Sequence, residues 1–409
     1  MLKKEIIFVA SIEDEKGMES FYRTHAYLVQ HTCSPVRREL MDEINWNDRL
    51  IGIKGTRGVG KTTFLLQYAK EKYGTDRSCL YINMNNFYFS EHSIVDFADE
   101  FQKRGGKVLL IDQVFKYPAW SKDLHICYDR FPGLKIVFTG SSVMRLKEEN
   151  TDLRDVVQSY NLRGFSFREF LNLQTEMRFC AYSLEDILVN HEQIAQEVSS
   201  KVRPLDYFQA YLHHGFYPFF LEKRNFSENL LKTMNMMLEV DILLIKQIEL
   251  KYLSKIKKLL YLLAMTDGKT PNVSQLAIDI QTSRATAMNY IKYLADARLI
   301  NMVYPLEEEF PKKPSRIMMH NTNLMYTFYP TNVEEQNIID TFFLNTMYKD
   351  HTLHKSDKNI SFLVDKTTPF KVCRENSKIK NNPQVKYAVN GLETGRGNMI
   401  PLWIFGFLY

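Results

Sequence analysis

Eight residues constrain this chain more than anything else in it: Gly55-Thr56-Arg57-Gly58-Val59-Gly60-Lys61-Thr62 match G-x-x-x-x-G-K-[ST] at every fixed position. The pattern has a physical reason. Glycines let backbone N–H groups turn inward around an anion that a Cβ would keep away. Lys61 offers a point charge to β- and γ-phosphate oxygens, and the Thr62 hydroxyl suits Mg²⁺. The apolar Leu50 to Lys54 predicts a strand before the loop. The segment from Thr62 to about Tyr73 predicts a helix after it, stopped at Gly74. That helix would direct its free N–H groups and its dipole at the phosphates. Gly55, Thr56, Arg57, Gly58, Val59, Gly60, Lys61, Thr62 and Thr63 are therefore the expected triphosphate-binding residues.

Strand–helix alternation continues around the loop. Cys79 to Asn83 predicts a second strand, and Glu91 to Lys103 a helix, with Ile94, Phe97, Ala98 and Phe101 on one face. The run Val108 to Ile111 ends in Asp112 and predicts a buried parallel strand presenting an acid to the metal, with Thr62 as the other protein ligand. Trp120 to Phe131 predicts a helix, Ile136 to Phe138 a strand, and Tyr160 to Phe165 a fifth strand. Thr139-Gly140-Ser141-Ser142 is expected to follow its strand, with Thr139 and Ser141 beside the γ-phosphate, as in the additional-strand class of phosphate-loop proteins. Five strands with crossover helices make a three-layer α/β domain.

The chain's 409 residues exceed one ordinary core, so about two to four domains are expected. From about Phe170 to Leu260 the pattern is helical. Asn272 to Val303 reads helix, tight turn, helix, strand, and Leu306 to Ser315, with three acids and two prolines, reads as a linker. Arg316 to Tyr409 mixes a helix near Asp340 to Tyr348 with several strands, and Ile400 to Tyr409 reads as a buried strand. The net charge of +5 neither demands nor excludes nucleic acid. Cys33, Cys79, Cys127, Cys180 and Cys373 are scattered, which argues against a zinc site or a disulfide framework and for a reducing compartment. No apolar run approaches the ~20 residues that span a bilayer, so no membrane contact and a cytoplasmic location are expected.

On these residues the chain resembles the AAA-family ATPases of bacteria and archaea that carry a C-terminal restriction-endonuclease-like domain. The likeness runs through Leu40 to Ile44, Ile51 to Thr63, Leu110 to Trp120, Phe138 to Ser142, Gly164 to Leu171, Asn321 to Tyr326 and Ile400 to Tyr409. It implies an N-terminal helical segment over 1–45, a P-loop ATPase core over 46–170, and a helical lid over 171–255. A winged helix over 256–310 and an α+β nuclease-like domain over 311–409 would follow. ATP and Mg²⁺ are the implied cofactors.

The departures from the family bear on catalysis. Gln113 stands where the family usually carries the catalytic glutamate, and a glutamine can orient water but cannot take its proton. Phe115 replaces a usual histidine, and Leu153-Arg154-Asp155-Val156 stands where an arginine pair is frequent. Arg168 matches a family position of unassigned role. Weak or absent hydrolysis is expected, in a nucleotide-controlled switch, though some GTPases position water with a glutamine.

Ser274 to Ile280 and Ser283 to Ala297 resemble a DNA-reading helix-turn-helix, with Arg284, Thr286, Asn289 and Lys292 toward the outside and Leu299 to Val303 as a wing strand. Such modules also bind proteins. In the C-terminal domain, Asp340 and Asp365 occupy two acid positions of a nuclease site, but Lys371 and Glu375 stand where an acid and a lysine belong, so cleavage is not expected. An active ATPase motor, a DNA-binding regulator and a nuclease remain alternatives, and a protein partner or a second copy of the chain remains open.

Overall fold

The computed structural model describes residues 2–147, 150–222, 225–266, 268–328, 333–356, 359–377 and 382–409, with side chains from Gly17 onward. The chain divides into two compact units, Met1–Arg163 and Gly164–Tyr409.

The first unit opens with helix α1 (Leu2–His31) and the short α2 (Leu40–Glu43). Then come β1 (Leu50–Gly55), α3 (Lys61–Lys72), β2 (Cys79–Asn83), α4 (Ile94–Lys103) and β3 (Val108–Asp112). The unit closes with α5 (Trp120–Arg130), β4 (Lys135–Ser141) and β5 (Gln158–Asn161). The strands form one sheet in the order β2-β3-β4-β1-β5, all paired in parallel. β4 is the additional strand, lying between the loop strand and the acid strand.

Topology then dictates the layers. From β1 to β2 the chain crosses the sheet one way, and from β2 through β3 to β4 it returns. Right-handed crossovers therefore put α3 on one face and α4 and α5 on the other. β3 is buried along its whole length, as a strand covered on both faces must be. The exposed edge of β2 is closed by α1. Met18, Phe21, Tyr22 and Val29 are buried there, Phe21 meets the Phe97 ring of α4 edge-on at 5.1 Å, and His25 Nδ1 accepts the Tyr81 N–H at 3.0 Å. An unpaired strand edge is a liability, and a helix laid along it is one remedy.

The second unit begins with α6 (Phe167–Thr175), started by a capping box in which Ser166 and Glu169 satisfy each other's backbone N–H. Then come α7 (Leu184–Ser199), α8 (Pro204–Ala210), a π-turn at Tyr211–Gly215, α9 (Phe226–Met236), a second π segment at Met237–Ile242, and α10 (Leu243–Ile245). The π-turn widens the helix, and buried Asn323 answers its backbone, accepting from Phe216 N at 2.9 Å and donating to Leu212 O at 2.9 Å. Helices α11 (Leu253–Met265), α12 (Val273–Asp279) and α13 (Arg284–Asp296) follow. Next is an antiparallel pair, β6 (Ile300–Val303) with β7 (Arg316–Met319). Beyond α14 (Thr322–Phe328), helix α15 (Glu335–Met347) packs on a second sheet. That sheet holds β8 (Leu353–His354), β9 (Phe362–Val364), β10 (Thr368–Arg374), β11 (Lys386–Asn390) and β12 (Met399–Pro401) in spatial order 12-11-10-9-8.

Several expectations shift. The fifth strand lies at Gln158–Asn161, earlier than read. Thr139 and Ser141 lie inside β4 rather than after it. Leu306 to Ser315 is no inter-domain linker, because it joins two strands that pair with each other. The closing run is buried as expected but is strand only to Pro401. Leu402–Phe407 then turns as a 3₁₀ helix. Proline has no N–H to continue a ladder, which fits the break.

Candidate nucleotide-binding site

The loop between β1 and α3 takes a shape that its glycines permit. Gly58 (φ 87°) and Gly60 (φ 93°) are left-handed, a region that costs other residues dearly. A Cβ on Gly55 would lie 2.3 Å from Leu162 O. Thr56 and Val59 are buried, Arg57 and Lys61 half-buried, and Thr62 and Thr63 exposed. Helix α3 starts at Lys61, with no side-chain cap at Gly60, so its first N–H groups face the loop. Lys61 Nζ donates to Gly55 O (2.7 Å) and Thr56 O (2.9 Å), so the ammonium lies over the loop, where phosphate oxygens would compete for it. Buried Arg38 braces the loop from behind, donating to Val59 O at 3.1 Å and Arg163 O at 2.8 Å.

Asp112, at the end of β3, is 1% exposed and is the centre of the polar cluster. Its Oδ2 accepts from Thr62 Oγ1 (2.7 Å), Tyr81 Oη (2.9 Å) and Asn83 Nδ2 (3.3 Å). Its Oδ1 accepts from Thr139 Oγ1. Burial, then the Asp112 charge, push the Tyr81 phenol far above its ordinary value, so it remains a donor. Gln113, next in the chain, is left-handed (φ 56°), and its N–H donates to Thr139 Oγ1 at 2.9 Å. The Thr139 hydroxyl thus ties the acid to the glutamine. Ser141 is buried and in register with Gly55, its Oγ accepting from Val143 N.

The cluster therefore brings together the loop, Thr62, Asp112, Gln113 and Thr139. Tyr81, Asn83 and Arg38 were missed. The first two alternate on β2, which pairs with β3 with Asn83 opposite Asp112, so their only sequence signal was two polar-capable residues at period two near a strand end. Thr62 and Asp112 offer hard oxygen donors within 2.7 Å of each other, which suits Mg²⁺. Among the described residues no group of three or more His, Cys, Asp or Glu could hold a metal alone. A Mg²⁺ here would share its ligands with the phosphates, its usual arrangement.

Arg154 is exposed, as is Asp155, with Arg154 Nε donating to Lys147 O, while Phe115 is half-buried. Arg168 is buried in the second unit, donating to Phe179 O and Tyr409 O, each at 3.1 Å, a structural clasp. On α13, Arg284 and Asn289 are exposed and Thr286 shares a hydrogen bond with Ser283. Lys292, read as outward, is committed to Asp296 at 2.6 Å. Asp340 is buried and bonded to Arg316 and Gln336, each at 2.8 Å, whereas Asp365 pairs with His351 and Thr352.

Fold and loop together define a class: the first unit has the AAA-type P-loop ATPase fold, and the family model described as an AAA domain matches residues 47–171. A second model, a domain of unknown function, matches residues 205–352. At the level of single proteins, the chain is 29% identical over 288 residues to Uncharacterized protein MJ1637 of Methanocaldococcus jannaschii, covering 66% of this chain and 60% of that protein's length. Among solved structures, RuvB of Thermotoga maritima is similar at 14% identity and a TM-score of 0.28, over 77% of this chain and 95% of its own. The Aeropyrum pernix Orc1 protein, solved in complex with DNA, is similar at 10% identity and a TM-score of 0.31, over 76% and 92%. AMPPCP-bound DnaA of Aquifex aeolicus is similar at 13% and 0.26, over 63% and 85%. No helix among the described residues is long and apolar enough to cross a membrane.

Proposed function

We propose that this chain binds ATP with Mg²⁺ at Gly55–Thr63 and Asp112 and holds it far longer than it hydrolyses it, as a nucleotide-controlled switch. The observation that carries the reading is the 2.7 Å pairing of Thr62 with Asp112 at the mouth of a complete phosphate loop, with Gln113 rather than a carboxylate beside it. The loop N–H groups and Lys61 hold phosphate. Thr62 and Asp112 hold the ion, whose charge would offset that of the phosphates. Thr139 fixes the Gln113 backbone, so the glutamine amide can orient a water. It has no basic group to accept that water's proton.

In this reading the helices after the core act as a lid, α11 to β7 form a winged helix, and α15 with the second sheet forms a nuclease-like fold that does not cut. These parts carry the nucleotide state to a protein partner or to a second copy of the chain.

Binding is tested by thermal shift and calorimetry with Mg-ATP. Ligand at 100 times its dissociation constant stabilises the fold by about 2.7 kcal/mol, and Lys61→Ala removes that gain. A parent chain that neither shifts nor releases binding heat with Mg-ATP overturns the proposal.

A further inference from the structure

We propose that Tyr81 is a positioning residue for the acid that meets the metal, an inference that rests on the nucleotide reading above. A Phe would fill the same space on β2, and a buried hydroxyl is costly unless it is bonded. The Tyr81 hydroxyl, on a residue only 4% exposed, reaches Asp112 Oδ2 at 2.9 Å and accepts from Asn83 Nδ2 at 3.4 Å. Its backbone is pinned in turn, since His25 of α1 accepts the Tyr81 N–H.

The consequence follows from counting acceptor sites. An ionised carboxylate has about four lone-pair sites. They divide two to each oxygen: in Asp112, Thr139 takes one at Oδ1, and Thr62, Tyr81 and Asn83 share the two at Oδ2. The Thr62 oxygen would be the group that turns to Mg²⁺, and its O–H could still donate to Oδ2. Tyr81 and Asn83 would stay in place and hold the carboxylate in one rotamer, beside the ion or its bound water. Outer partners of this kind, when removed, typically cost 10–100-fold in metal affinity. Tyr81 and Asn83 thus set how strongly this site demands Mg²⁺, and they do so from a strand that carries neither the loop nor the acid.

The test uses the full chain and a fluorescent mant-ATP probe, titrated with and without Mg²⁺. In Tyr81→Phe the Mg²⁺ midpoint is expected to rise about 10–100-fold, and the ratio of Mg-loaded to Mg-free nucleotide affinity to fall in step. A merely structural role would weaken both affinities together and leave the ratio unchanged, and that outcome overturns the proposal. Asn83→Ala, expected to move the ratio the same way by less, carries the test if Tyr81→Phe does not fold. A parent chain that binds no mant-ATP defeats the nucleotide reading itself, whereas a binding parent with an unshifted Tyr81→Phe defeats only the role of Tyr81.

Discussion

At the residue scale the site depends on backbone freedom before it depends on charge. Gly60 sits at φ 93°, the turn from which α3 starts. Gly60→Ala forces a Cβ into the left-handed region and is expected to cost about 1–2 kcal/mol by chemical denaturation, with a matching loss of nucleotide affinity. A variant as stable and as tightly binding as the parent would show that the loop relaxes around the substitution. These glycines, Lys61, Thr62 and Asp112 were legible in the sequence because their chemistry depends on spacing within two short segments. Tyr81 and Asn83 were not, because nothing in a linear chain says that β2 lies beside β3 with Asn83 opposite Asp112. Lys292 shows a related limit: helical periodicity gives a direction, not the partner, and Asp296 one turn on takes the ammonium.

At the element scale, the contact of α1 with β2 responds to pH. His25 accepts the Tyr81 N–H through the Nδ1 lone pair, which requires a neutral ring there, and burial lowers its pKa below the ordinary 6.5. A proton therefore binds the unfolded chain more readily than the folded one. The stability this group contributes is fully present above the unfolded value and is lost as the pH falls from about 6.5 through the lower folded value. Denaturation midpoints taken at pH 7.5 and 5.5 are expected to fall less in His25→Gln, which keeps an acceptor without the titration. Equal falls in both chains would acquit His25. Element types were largely readable, since the core strands are continuous apolar runs and α4 shows a clean apolar face. Errors fell at ends and connections. Ile400 to Tyr409 is apolar throughout, and such a run does not declare whether it is strand or helix. Leu306 to Ser315 has the composition of a linker yet serves as the loop of a two-stranded pair.

At the scale of the whole molecule, the proposed switch separates binding from turnover. The first unit carries a complete phosphate loop and an acid held by four donors, and the proposed retention of Mg-ATP would rest on these groups. Turnover needs more: a base for the attacking water, commonly worth roughly 10²–10⁴ in rate, and cationic groups on the γ-phosphate, worth about 10³ or more where they are used. Gln113 cannot be that base, and Asp155 and Val156 are not cations. Such losses need not add, because residues acting as a unit are not independent. The closing measurement is single-turnover hydrolysis of labelled ATP by the parent chain and by Gln113→Glu. The parent is expected to retain bound ATP with turnover far below ~1 s⁻¹, and Gln113→Glu to be measurably faster yet still slow. A parent rate of ~1 s⁻¹ or above, within the ordinary enzyme range, would contradict the switch and make this chain a working ATPase.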